Sequence, residues 1–166
     1  MFMRSRVIAG VATLATVAAF AACGSDSTTT VDTTPAVTYI STLSAANERP
    51  NVNSSTATGT ATYTLKGNLL SFLVTVNGLT GPATASHIHV GAASVAGGVI
   101  VPFVTGSVQS GNVTSGTIDL SMPVSNGTTA ITGDSLKVLL NNGNAYTNVH
   151  TSANGGGEIR GQIIKQ

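Results

Sequence analysis

From Val37 onward the chain alternates apolar and polar residues in short runs, and glycine, asparagine or proline closes most of them. A period of two marks a strand with one face on a core. VTYISTLSA, residues 37–45, opens the series. In TATGTATYTL, residues 56–65, Ala57, Gly59, Ala61, Tyr63 and Leu65 share a face. Gly67-Asn68 reads as a hairpin turn into LLSFLVTV. There Leu70, Phe72, Val74 and Val76 line one face, with Leu69 and Leu73 on the other. NGLTGP breaks the pattern, and ATASHIHV, GGVIVPFV, VTSGTIDLSMPV, AYTNVHT and GEIRGQII follow as further strands. Ser135–Leu140 is the one short helical candidate, with Gly143 placed to stop it. About eight strands, with turns roughly every ten residues, predict an all-β fold, a Greek-key sandwich or barrel. A parallel α/β sheet would need more crossover helices than this chain supplies.

Composition sharpens that picture. Charged residues make up 8%, aromatic residues 4%, and tryptophan is absent. The core must therefore be built from valine, isoleucine and leucine with a few phenylalanines and tyrosines. No basic patch exists, which excludes a nucleic-acid partner.

The first residues break the strand pattern. MFMRSRVIAGVATLATVAAFAAC has two arginines, then an uncharged, mostly apolar run, then small residues before Cys23. That order is a secretory signal, too short for a usual spanning anchor. FAAC resembles a bacterial lipoprotein lipobox, with Phe20 where leucine is usual. The resemblance implies cleavage before Cys23 and lipid on that residue, which would attach the protein to a membrane. Cys23 is the single cysteine, so no intrachain disulfide can form. Residues 1–22 are then the signal, 23–36 a lipidated cysteine and flexible Ser/Thr-rich tether, and 37–166 the domain. Removing Arg4 and Arg6 leaves five basic against six acidic residues, a net charge of −1. The expected location is the bacterial cell envelope, at the periplasmic face or the outer membrane.

The candidate chemistry lies in the three histidines. In ATASHIHV, Ile88 and Val90 take the apolar face, so His87 and His89 point the other way. In AYTNVHT, Tyr146, Asn148 and His150 share the face opposite Val149. Two imidazoles two residues apart on a strand have Cα atoms roughly 6.5–7 Å apart and can reach one ion. A third from a neighbouring strand would complete a three-histidine set suited to copper or zinc. Exposed strand histidines are also often merely solvated, and the sequence does not establish that these strands are neighbours. Glu158 and Arg160 are two apart. They read either as partners in surface ion pairs with another strand or as groups behind the metal ligands, Glu158 even as a fourth ligand. Glu48 and Arg49 read as loop-structuring residues. No G-x-S-x-G elbow or phosphate-binding glycine loop is present.

Ala46-Asn47-Glu48, His87-Ile88-His89, Asn148-Val149-His150-Thr151 and Gly157-Glu158-Ile159-Arg160-Gly161-Gln162 together look like a CHRD domain, a chordin-type module found in bacterial exported proteins. The resemblance covers roughly residues 38–165. Arg49-Pro50-Asn51 stands where that family usually continues with valine and two prolines. The family is similar in turn to the Ig-like Greek-key barrel of copper/zinc superoxide dismutase. His87 and His89 resemble the dismutase's H-V-H copper pair, and Val149-His150 resembles its later V-H pair. The chain lacks the fourth, bridging histidine, the zinc set and the disulfide of that enzyme.

The expectation is therefore a noncatalytic, lipid-anchored binding module with a copper or zinc site at His87, His89 and His150. Asn148, Glu158 and Arg160 would back it, and no residue is assigned a catalytic role. Two other readings stand beside it: a copper-dependent redox enzyme of dismutase type, and an envelope interaction module for a protein or glycan with no metal.

Overall fold

The structure is a computed structural model that describes residues 33–50 and 53–166. The expected signal and lipidated Cys23 lie outside the described residues. The elements are β1 (Val37–Ser44), β2 (Thr58–Lys66), β3 (Leu69–Asn77), β4 (Ala83–Val90), β5 (Val99–Pro102) and β6 (Gly111–Asp119). Then come β7 (Val124–Ser125), β8 (Ala130–Ile131), α1 (Gly133–Asn141), β9 (Ala145–Thr151), β10 (Ile159–Gln162) and β11 (Ile164–Lys165). A 3-10 turn, Ala45–Asn47, follows β1. The fold is all-β apart from α1 and this turn. One antiparallel sheet runs β5-β4-β9-β10-β1-β2-β3-β6, with β11 on the far end of β1 and β7-β8 a separate ribbon.

Local chemistry explains the elements. Gly67 takes φ 58°, which glycine permits freely, and the turn sets Lys66 opposite Leu69. Leu70 and Val74 are then fully buried, while Leu69 and Leu73 are exposed, as the alternation predicts. Thr132 caps α1 by accepting the Ser135 N–H. Gly143 at φ 64° ends the helix, with its N–H donating to the Leu140 carbonyl.

The sheet is curled into a half-barrel. β2 and β9 are three positions apart in strand order, about 14 Å if the sheet were flat. Yet the Tyr63 hydroxyl lies 2.8 Å from Thr147 Oγ1 across the interior. Phe72 of β3 stacks on Phe103, just beyond β5, with ring centroids 4.4 Å apart. The enclosed core includes Tyr39, Leu43, Ile88, Val149 and Ile159, and Leu136 and Leu140 of α1 pack into it.

One element departs from the half-exposed pattern. β9 is buried on both faces: Ala145, Thr147 and Val149 meet the core, yet Tyr146 and Asn148 are also buried. Loops cover the outer face of β4, β9 and β10. The histidines therefore point away from the core but not into open solvent.

Close backbone approach at β10 gives a test. A Cβ on Gly161 would collide with the Thr42 carbonyl and stand 2.6 Å from Ser41 Oγ, whereas one on Gly156 meets nothing within 4 Å. Gly161→Ala should destabilise the fold by about 3 kcal/mol. Gly156→Ala should stay within about 0.5 kcal/mol of wild type. Urea unfolding of both variants checks the contrast, and equal midpoints would contradict the packing at β10.

Candidate metal centre

Strand register assembles the site. β4 pairs with β9 so that Ala85 faces His150, His87 faces Asn148 and His89 faces Tyr146. β10 continues the rows, with Arg160 opposite Asn148 and Gln162 opposite Tyr146. His87 and His89 thus stand on one strand and His150 on its neighbour, offset by one residue pair. The three rings converge. One ring nitrogen from each lies within 4.8 Å of the others. His87 Nδ1 and His150 Nε2 are 3.3 Å apart.

Backbone carbonyls decide which nitrogens are free. His89 Nδ1 donates to the Gly97 carbonyl at 3.0 Å, and His150 Nδ1 donates to the Gly155 carbonyl at 3.0 Å. A carbonyl only accepts, so each Nδ1 carries the proton and each Nε2 keeps its lone pair. His89 Nε2 is buried without a partner. His87 presents Nδ1 to His150 Nε2 and in the metal-free protein donates its proton there. The donor set for an ion is therefore His87 Nδ1, His89 Nε2 and His150 Nε2. Two nitrogens bound at about 2.0–2.1 Å in a tetrahedral site stand about 3.3 Å apart, so the closest pair already has a ligand spacing.

Electrostatics keep the rings ready. Burial, reinforced by the neighbouring His150 and His89, pushes the His87 imidazole down to about 4. Burial also lowers His89 and His150, against the Gly97 and Gly155 hydrogen bonds that favour their charged forms. Neutral imidazole is the metal-binding form. His87 and His150 remain partly exposed, so the pocket has an open side.

The backing residues divide. Arg160 reaches the site through Tyr146: its guanidinium carbon lies 3.4 Å from the Tyr146 ring centroid, and Tyr146 stacks on His89 at 4.8 Å. The Tyr146 hydroxyl and the Gly97 N–H hold each other at 3.0 Å, which fixes the loop that carries the His89 acceptor. Asn148 sits beside His87 in register but gives its amide to Glu48. Glu158 is neither a fourth ligand nor half of a surface ion pair. It is fully buried, and Ser55, Thr80 and Thr151 surround its carboxylate. Burial alone would raise it, but these hydroxyls and the Thr80 N–H hold it at about 2. It locks three segments together at one end of the sheet.

Glu48 carries more than a loop role. It is 1% exposed, and burial raises its carboxyl to about 7 despite Arg160, Asn148 and Arg49. Gly157 is glycine because a Cβ there would meet the Glu48 and Asn148 side chains at 2.7–2.8 Å. Among the described residues, the buried side-chain atoms without partners are Glu48 Oε1, His89 Nε2, Asn148 Oδ1, Arg160 Nη1 and Gln162 Oε1. All five belong to this one outer layer, and native interiors leave such groups unpaired only rarely. Period two places Tyr146 with the site, but the covering loops carry no periodicity that would announce Glu48, Gly97 or Gly155.

Comparison with known proteins matches the CHRD domain over residues 39–163. No curated protein and no solved structure matches the chain.

The lowered His87 value has a signed consequence for the metal-free protein. Between pH about 6.5 and 4 the unfolded chain binds a proton that the folded His87 refuses. Stability is therefore lost as pH falls through that window. Glu48, raised to about 7, has the opposite slope, so the signature is the difference between wild type and His87→Ala. After discounting for solvent screening, wild type should lose on the order of 1 kcal/mol more than His87→Ala between pH 6.5 and 4. Denaturant unfolding at both pH values checks this. A pH-independent difference would mean that His87 protonates as freely in the fold as out of it.

Proposed function

The chain belongs to the CHRD domain family, and on that premise we propose that it is an exported, lipid-anchored binding module that holds one copper or zinc ion on His87, His89 and His150. The single observation that carries the metal reading is the convergence of three imidazoles, with one ring nitrogen of each within 4.8 Å of the others, two of them held by outer hydrogen bonds that leave Nε2 unprotonated and the third sharing its Nδ1 proton with His150. Three histidines and an open position are a donor set that zinc and copper both accept. The lipid anchor rests on the sequence before Cys23, with its arginines, apolar run and FAAC motif. A tether and a lipid would keep the domain close to a membrane surface.

In this reading the residues of the chain bind and orient. The Gly97 and Gly155 carbonyls fix two rings, and Tyr146 covers His89. Arg160, on the Tyr146 face away from His89, supplies positive charge near the site. A bound copper ion would supply one-electron chemistry and a zinc ion would supply a fixed positive charge.

The test is metal content. Untagged protein loaded with Cu(II) or Zn(II) and freed of excess ion by gel filtration should retain one equivalent. The His87→Ala/His89→Ala/His150→Ala variant should retain almost none while keeping its β-sheet circular dichroism. Equal retention by both proteins would refute the site. Copper-loaded protein should consume superoxide no faster than free copper, and turnover well above it would make the protein an enzyme.

A further inference from the structure

A small cavity lies beside Arg160, whose guanidinium covers the Tyr146 ring. Asn47, Arg49, Ala93, Arg160 and Gln162 line it, and its volume is about 110 Å³. That is space for a few waters or one small ion. Arg160 is 1% exposed. Its Nη2 donates to the Ala92 carbonyl at 2.9 Å, but Nη1 has no partner. Arg49 stands at the same cavity, with Nη1 donating to the Ala46 and Glu48 carbonyls. Neither guanidinium makes an ion pair with a carboxylate among the described residues, where Lys137–Asp134 alone meets that geometry. Glu48 is near enough to feel Arg160 but not within ion-pair contact.

Two guanidinium groups at one small cavity, one of them buried and neither in a contact ion pair, make that cavity favourable for an anion. Gln162 narrows the choice. Both of its amide protons are committed, to the Gly91 and Gly143 carbonyls at 2.7 and 2.6 Å. Its Oε1 is buried and unpaired, and it can only accept. The occupant should therefore offer acceptor oxygens to the arginines and one hydroxyl to Gln162.

We propose that this cavity binds a small oxyanion that keeps a hydroxyl, of the bicarbonate or hydrogen-phosphate kind, between Arg160, Arg49 and Gln162. Arg160 supplies directional donors, Arg49 closes the exposed side, and Gln162 reads the hydroxyl. The site uses none of the proposed metal ligands, and the Tyr146 ring stands between Arg160 and His89.

Calorimetry on the metal-free full chain tests it, with sodium bicarbonate, phosphate, nitrate and chloride at equal ionic strength. Bicarbonate or phosphate should bind one to one. Nitrate, which has oxygens but no hydroxyl, should bind about tenfold more weakly, and chloride should give no saturable heat. Arg49→Gln, on a partly exposed side chain, should weaken binding about tenfold without unfolding the protein. Ala93→Glu should supply its own carboxylate, raise the melting temperature of the anion-free protein and abolish bicarbonate and phosphate binding. Similar responses to all four salts would reduce the effect to ionic screening. Unchanged affinity in Arg49→Gln would put any binding elsewhere, and no binding by wild type would leave the cavity to water. Each of these three results overturns the proposal. The triple histidine variant should bind the anion as wild type does, which separates this test from the metal reading.

Discussion

The architecture turns on β9, a strand buried on both sides. Its inner face is ordinary core. Its outer face carries Tyr146, Asn148 and His150, and β4 and β10 add His87, His89, Arg160 and Gln162 beside them. Polar groups taken from water need partners, and unpaired ones are costly. The covering loops meet part of that need through the Gly97 and Gly155 carbonyls and the Glu48 carboxyl. Among the described residues five buried atoms stay unpaired, all in this layer. That concentration of unpaired groups is what supports the proposal that this layer binds something.

Much of the frame is legible in the sequence because strand alternation is a local property. ATASHIHV is β4 to the residue, the Gly67-Asn68 turn sets the β2–β3 register, and the helical candidate around Ser135–Leu140 lies within α1. The facing of His87, His89 and His150 follows from the same period. What alternation cannot supply is adjacency. β4 and β9 are joined in the sheet although five elements intervene in the chain. Long-range pairing of this kind leaves no mark on either strand alone. Nor does a period of two distinguish water from a covering loop, so the double burial of β9 reads as half exposure. Glu158 shows the same limit: two-residue spacing pairs it with Arg160, but its oxygens turn to hydroxyls from three other segments.

The polar layer also gives a division of labour. Tyr146 lies between two arrangements of opposite character: neutral imidazoles on its β4 side and guanidinium groups on its β10 side. The first offers lone pairs, the second offers N–H donors and positive charge. The layer around β9 thereby carries the groups that the proposed cation site and the proposed anion site would each use.

The central claim is that backbone carbonyls hold His89 and His150 with Nε2 open, so that an ion needs only His87 to surrender its Nδ1 proton. Long-range proton–nitrogen NMR correlation of the imidazoles at neutral pH, before and after zinc, reads this directly. The account predicts Nδ1–H tautomers for all three rings in the metal-free protein. Zinc should convert His87 alone to the Nε2–H form while His89 and His150 keep their Nδ1 protons. Nε2–H tautomers at His89 or His150, or a His87 ring unaffected by stoichiometric zinc, would contradict it.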